Sequence, residues 1–199
     1  MDKQRLEQQI RFIIEIDKLK TVLRQTQLTD QSRRENSAEH SWHLAVMVLL
    51  LGEYAEAGTD IMRAMKMVLI HDIVEIDAGD TFAYDVAGYA DKAEREERAA
   101  ARLFGMLPDE QRAEIDGLWR EFEARATTEA RFANALDRLQ PLLHNYVTEG
   151  GSWKHDGVTL EKIRKRMQPV GEASDVLGRY VEAIIEDSLA KGYIPAAPS

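Results

Sequence analysis

The stretch HDIVEIDAGD, residues 71–80, follows apolar VLI and places His71, Asp72, Glu75, Asp77 and Asp80 within ten positions. A buried segment excludes adjacent His and Asp unless each is paired or bound to something. Together they offer one nitrogen and one oxygen to a single cation, a mixed donor set that suits Mn, Fe, Co, Ni or Zn better than Ca. On an α-helix the two side chains project about 100° apart, and Glu75 lies one turn beyond His71 on the same face. A carboxylate there is placed to orient a water beside the ion or to accept its proton. Two further ligands are needed. His40, in ENSAEHSWHLA, sits in the first turn of an expected helix, with His43 three residues on. Asp137, in ANALDRLQPLLHNY, lies between Leu136 and Leu139 of an apolar-periodic helix. Pro141 cannot donate to the carbonyl of Asp137, which bends the helix beside that carboxylate.

The elements that must carry these groups are helical throughout. LEQQIRFIIEIDKLKTVL has apolar residues near a period of 3.6, and TQLTDQSRREN reads as a polar loop. Asn36 with Glu39 marks a helix start running to about residue 57, where EAGTD breaks it at Gly58 and supplies the next cap. Further helices are predicted over 60–76, 88–105, 108–124, 127–148, 159–168 and 173–190, with TFAYD and EGGSWKHDGV as loops. The fold class is all-α, and residues 1–199 read as a single domain with its core over about 19–190 and a short C-terminal tail.

Composition narrows the functions. The formal net charge is −9, with no Lys/Arg cluster of the kind that follows a phosphate backbone, which argues against a nucleic-acid polymer as partner. A small phosphorylated substrate stays open. The absence of cysteine rules out disulfides and thiolate chemistry. The longest apolar run, LAVMVLLL at 44–51, is far short of the roughly 20 residues a membrane helix needs. The amphipathic, charged start MDKQRLEQQIRF has no signal-peptide core. The expectation is a cytoplasmic protein with no membrane partner.

The ordered set His40, His71-Asp72 and Asp137 resembles the H…HD…D signature of the HD-domain metal-dependent phosphohydrolases. The contexts ENSAEHS, HDIVEIDAGD and ALDRL are similar to the branch that contains the 5′-deoxynucleotidases, over roughly residues 19–190. The resemblance implies a compact multi-helix HD-domain bundle. One divalent ion (Mn, Co, Ni, Fe, Zn or Mg) would be held by His40, His71, Asp72 and Asp137. Glu75 would act near the attacking water and Asp80 on the substrate sugar. Arg24, in LKTVLRQTQL, falls where the family has a substrate-contacting arginine. The family often follows it with a tryptophan that helps select deoxyribose, where this chain has Gln27 nearby. Arg33 or Arg34 could add positive charge at the phosphate. The implied activity is a 5′-nucleotidase hydrolysing (deoxy)nucleoside 5′-monophosphates, in a homodimer.

Other readings stand beside this one. A non-catalytic HD-type sensor would bind metal and nucleotide without turnover, and an HD phosphodiesterase would recruit a second metal through His43, His144 or His155. A ferritin-like di-iron bundle needs paired Glu-x-x-His motifs. Val68, His40, Pro141 and Ser152 stand three before the relevant histidines, which excludes it. The plainer readings make His43 and His144 packed imidazoles, Asp77 a cap, and His155 with Trp153 either surface or lid. DKAEREER reads as a solvated helix face.

Overall fold

A computed structural model describes residues 3–194, so Met1, Asp2 and most of the expected C-terminal tail lie outside the described residues. Helix α1 (Lys3–Glu15) passes through a 3-10 turn (Ile16–Thr21) into β1 (Leu23–Gln27), which pairs antiparallel with β2 (Arg34–Asn36). Then come α2 (Ser37–Leu51), α3 (Ile61–Ile70), a 3-10 turn over His71–Val74 and the short α4 (Glu75–Ala78). After a stretch without helix or strand follow α5 (Lys92–Phe104), α6 (Asp109–Ala124) and α7 (Thr128–Val147). A 3-10 turn (Gly151–Lys154), α8 (Leu160–Ala173) and α9 (Asp175–Ala190) complete the chain. The all-α class holds. Among the described residues, no helix is long and apolar enough to cross a membrane.

Local chemistry fixes the ends of the elements that matter. Asn36 accepts from the Glu39 backbone N–H while the Glu39 carboxylate accepts from the Asn36 N–H, a reciprocal cap that locks the first turn of α2 and with it His40. Asp60 caps α3 and Thr127 caps α7 through the same kind of side-chain acceptor. Gly79 ends α4 at φ 75, a backbone state that costs an L side chain about 1 kcal/mol or more. Gly178 of α9 meets Gly171 of α8 so closely that an added Cβ would lie 2.6 Å from the Gly171 Cα. Only a missing side chain lets these two helices approach that far.

Two apolar clusters share the interior. One gathers Leu44, Val48, Met67, Val68, Leu136 and Ile185 from α2, α3, α7 and α9. The other gathers Phe12, Ile73, Val74, Leu103, Phe104 and Trp119. Met67 and Val68 point into the first cluster and Ile73 and Val74 into the second, so His71 and Asp72 fall on the seam, beneath Ile70, which packs on both.

Three expectations are corrected. The predicted helix over 60–76 is not continuous, passing from α3 through a 3-10 turn over His71–Val74 into the short α4. The polar stretch after Val22 is a two-stranded hairpin, not a plain loop. Its alternation is present, but the inward residues are Arg24, Thr26 and Glu35 instead of apolar ones. Helix α8 runs through Pro169 to Ala173 rather than stopping at 168.

Candidate metal centre

Three elements deliver the site. The first turn of α2 carries His40, the 3-10 turn after α3 carries His71 and Asp72, and the middle of α7 carries Asp137. His40 Nε2 lies 3.0 Å from Asp137 Oδ1, and His71 Nε2 lies 3.0 Å from Asp72 Oδ1 and 3.7 Å from Asp137 Oδ1. All four residues named from the sequence are therefore brought together. The Phe122 ring, 4.7 Å from that of His71 between centroids, braces the imidazole from behind.

Proton bookkeeping at this centre leaves a conflict. His71 Nδ1 is 3.0 Å from the Val68 carbonyl, which can only accept, so Nδ1 carries the hydrogen. Neutral His71 then turns a bare Nε2 toward two carboxylates, and that nitrogen is buried without a hydrogen-bond partner. His40 Nδ1 faces Gln140 Oε1 at 3.1 Å. The Gln140 amide cannot be turned over, because its nitrogen lies 3.1 Å from His144 Nε2, which can only accept once His144 Nδ1 donates to the Gln27 carbonyl; it also meets Glu35 Oε1 at 2.6 Å. The two nitrogens of His40 thus both face oxygen acceptors, and a neutral ring has one proton for them. A cation seated among Nε2 of His40, Nε2 of His71 and the carboxylates removes both conflicts, and the donor set of two imidazoles and two carboxylates fits a divalent transition ion.

The titrations follow from the same crowding. Burial opposes charge on His71, but Asp72 and then Asp137 outweigh it and raise its pKa well above 6.5. Burial, reinforced by Arg24, lowers His40 to about 4, so its ring stays neutral. Asp137 is held well below the ordinary range by His40 and His71 against the cost of burial. Asp72 falls to about 2, burial again being outweighed, here by His71 and Arg24.

Around this core stand the other candidates. Arg24 is buried. Its Nη1 donates to Asp72 Oδ2 at 3.0 Å and lies 3.7 Å from Asp80 Oδ1, while its Nε is 3.7 Å from Glu35 Oε2. Glu75 accepts from Ser37 Oγ at 2.6 Å, and burial, then Asp72, pushes its pKa well above 4.5. Burial also raises Asp80, against the pull of Arg24. Arg24, His71, Asp72, Glu75, Asp80 and Asp137 line one cavity of about 290 Å³. Of the two flanking arginines, Arg33 is corrected. Arg33 grips Glu39 on the surface, while Arg34 donates to the carbonyls of Arg24 and Leu23 and still lends positive charge to Asp80. Asp77 pairs with Arg102, His155 lies exposed against Phe82, and Trp153 is buried in the first core.

Sequence reasoning missed Glu35, Ser37 and Gln140. Glu35, His43 and His144 form a second group of ligand-type atoms, all within 4.8 Å of one another. The Gln140 Nε2 lies among them, 2.6 Å from Glu35 Oε1, 3.3 Å from His43 Nδ1 and 3.1 Å from His144 Nε2. His144 is itself oriented by its Nδ1 donating to the Gln27 carbonyl at 2.9 Å. The i, i+3, i+7 spacing of Asp137, Gln140 and His144 on one helix face is the signal that could have found this row.

The chain belongs to the HD-domain family: the HD-domain family model matches residues 16–176. Within that family it is similar to the protein named 5′-deoxynucleotidase HDDC2 of Danio rerio, 32% identical over 56% of this chain and 56% of that relative. The human protein of the same name is 31% identical over 56% of this chain and 53% of its own length. The chain thus spans a little over half the length of these curated relatives. A crystal structure described as a predicted metal-dependent phosphohydrolase from Magnetospirillum magnetotacticum MS-1 is 58% identical, with TM-score 0.92, over 98% of this chain and 97% of that one. The protein PH0347 of Pyrococcus horikoshii OT3, 22% identical with TM-score 0.65 over 92% of this chain and 99% of that one, shares the fold.

Proposed function

We propose that this chain is a metal-dependent phosphohydrolase that cleaves (deoxy)nucleoside 5′-monophosphates to nucleoside and phosphate. One divalent ion (Mn, Co, Ni, Fe, Zn or Mg) would sit on His40, His71, Asp72 and Asp137. The observation that carries this reading is the buried His71 Nε2, which has no hydrogen-bond partner and faces carboxylate oxygens at 3.0 and 3.7 Å. The names of the 5′-deoxynucleotidase relatives and of the phosphohydrolase structure support it. When bound, a divalent ion lowers the pKa of water by several units and draws negative charge from a phosphate oxygen.

The remaining work belongs to the side chains. Arg24, anchored by Asp72, presents a guanidinium to the cavity, where it can grip a phosphate oxygen. Glu75, steadied by Ser37, has its pKa raised by burial and Asp72, the direction that makes a carboxylate a better acceptor of a proton from nearby water. Asp80, 3.7 Å from Arg24, can accept from a sugar hydroxyl. The same reading includes a cytoplasmic homodimer, supported by exposed Ile13 and Ile14 on α1 and Trp42, Leu49 and Leu50 on α2.

The test is phosphate release from a panel of nucleotides with Mn or Co supplied, alongside the metal content of the purified protein. Release from 5′-monophosphates with about one ion per chain is expected, both lost in Asp137→Asn. Metal and nucleotide binding without release would make it a sensor, and release from diesters alone would make it a phosphodiesterase.

A further inference from the structure

The cavity of the candidate centre adjoins a second, outer cavity of about 550 Å³, and Tyr89, Arg125, Arg138 and Arg166 line both. Arg138 directly follows Asp137 on α7 and is only 5% exposed. Its Nη1 donates to the backbone oxygen and Oδ1 of Asn134 at 2.8 and 3.0 Å, both neutral acceptors. Among the described residues, neither Arg138 nor Arg125 nor Arg166 forms an ion pair with a carboxylate. Several other arginines are matched by acids: Arg63, Arg102, Arg120, Arg131 and Arg164 each sit on an Asp or Glu, whereas part-buried Arg34 meets only backbone carbonyls. A buried guanidinium left without a carboxylate, on a chain of net charge −9, is costly unless an anion arrives to meet it.

The outer cavity extends the same imbalance. Lys162 and Lys165 of α8 join the three arginines in its lining, against a single acid, Asp85. Tyr84 and Tyr89 add aromatic surface, and Val86 at the rim is 79% exposed. A nucleoside monophosphate has one phosphate, and in the reading above Arg24 meets it in the inner cavity. Beyond it such a substrate is neutral. Five cations around a neutral sugar and base would have no counterpart.

We propose that the outer cavity binds a second phosphate of the same substrate. The preferred substrate is then a nucleoside 5′-phosphate with a further phosphoryl group across the ribose. Two sources share that chemistry, the 3′-phosphate of a nucleoside 3′,5′-bisphosphate and the diester phosphate of a 5′-phosphorylated dinucleotide. Arg125, Arg138 and Arg166 supply planar forks that match phosphate oxygens, and Lys162 and Lys165 attract the anion from solution. The chemistry at the inner centre is unchanged. Water adds across the 5′ P–O bond, its oxygen going to phosphorus and a proton to the 5′ oxygen. The second phosphate leaves with the nucleoside. This inference rests on the phosphohydrolase reading and narrows its substrate class.

The test compares kcat/KM for 2′-deoxyadenosine 5′-monophosphate, 2′-deoxyadenosine 3′,5′-bisphosphate and a 5′-phosphorylated deoxydinucleotide, with Mn supplied. At least one doubly phosphorylated substrate is expected to be preferred about 10-fold or more, a preference that shrinks with added salt. The better of the two identifies the source. In the double variant Lys165→Gln, Arg166→Gln that ratio should fall toward one. Exposed Lys165→Gln alone, checked by thermal melting, should lower it part way. Equal use of the monophosphate and both doubly phosphorylated substrates by the unaltered protein overturns the proposal. So does a variant that slows all three substrates equally, because the cations would then serve the reacting phosphate. If no nucleotide is hydrolysed, the phosphohydrolase reading fails separately. Calorimetric binding of the bisphosphate against the monophosphate, to the unaltered protein and the double variant, then decides this inference alone. Tighter bisphosphate binding, lost in the variant, upholds it, and equal binding overturns it.

Discussion

His40, His71 and Asp137 on one side and Glu35, His43 and His144 on the other both put imidazole nitrogens and a carboxylate oxygen within 4.8 Å of one another. By residue type they are the same kind of cluster, and Gln140 touches both. The difference lies in what stands at the centre. In the second, the Gln140 amide nitrogen fills the middle and shares its two hydrogens among Glu35 Oε1 at 2.6 Å, His144 Nε2 at 3.1 Å and the more distant His43 Nδ1 at 3.3 Å. In the first no amide fills the middle, and imidazole nitrogens meet carboxylates directly. Ligand types in proximity do not make a metal site. A centre that an ion can enter by displacing no more than a ring proton does.

The sharpest break of that comparison is Asp137→Asn set against His43→Ala. Asp137→Asn should remove the ion and lower phosphate release by at least about 10³-fold, several kcal/mol of transition-state stabilisation. His43→Ala should keep about one ion per chain by elemental analysis. Equal metal loss in the two variants would erase the distinction. Next in size are two changes at Gln140. Gln140→Leu strips the acceptor from His40 Nδ1 and should weaken metal affinity about 10–100-fold in a chelator competition. Gln140→Glu replaces the central donor with a carboxylate, and metal stoichiometry should rise from one toward two. A count still at one would mean that the central amide is not what keeps a cation out.

A smaller effect concerns pH. In the metal-free protein Asp72 and Asp137 outweigh burial and raise the His71 pKa, so an ion loading onto Nε2 competes with a proton there. Apparent metal affinity should rise about tenfold per pH unit until the raised His71 pKa is passed, then flatten. Calorimetry in buffers of different protonation enthalpy should read about one proton released per ion. Without metal, the contribution of His71 to stability is full below its unfolded value near 6.5 and is lost as pH rises through the higher folded value. His43 and His144 lie below the ordinary value through burial, whereas burial raises Glu35 to about 7, so the proton of the second cluster sits on a carboxylate and not on an imidazole. Smallest is Arg33→Gln, which opens the exposed pair with Glu39 on the hairpin that carries Arg24 and Glu35. It should cost no more than about 1 kcal/mol in denaturant melts and leave metal content unchanged.

The sequence made His40, His71, Asp72 and Asp137 legible because each is a chemically costly residue within or at the edge of an apolar-periodic helix. The helices were legible for the same reason, through the period of their buried faces. The hairpin was not, since Arg24, Thr26 and Glu35 turn polar groups inward and reverse the usual alternation. Glu35 hid inside SRREN, where a charged run reads as solvated surface. Gln140 gave no warning, because an amide carries no charge and its importance lies in which atoms it faces. The 3-10 turn at His71 was equally hidden, as its residues keep helical apolar spacing and only the packing of Ile73 and Val74 into the other cluster reveals it.

The position of the His71-Asp72 turn on the seam has one more consequence. His40 and Asp137 stand on helices anchored in one apolar cluster, while Asp72 is tethered through Ile73 to the other. An ion shared by all of them would tie the unfolding of the two halves into a single event. Chelation should then broaden the heat-absorption peak and drop the van 't Hoff enthalpy below the calorimetric one, as two loosely joined units melt in turn.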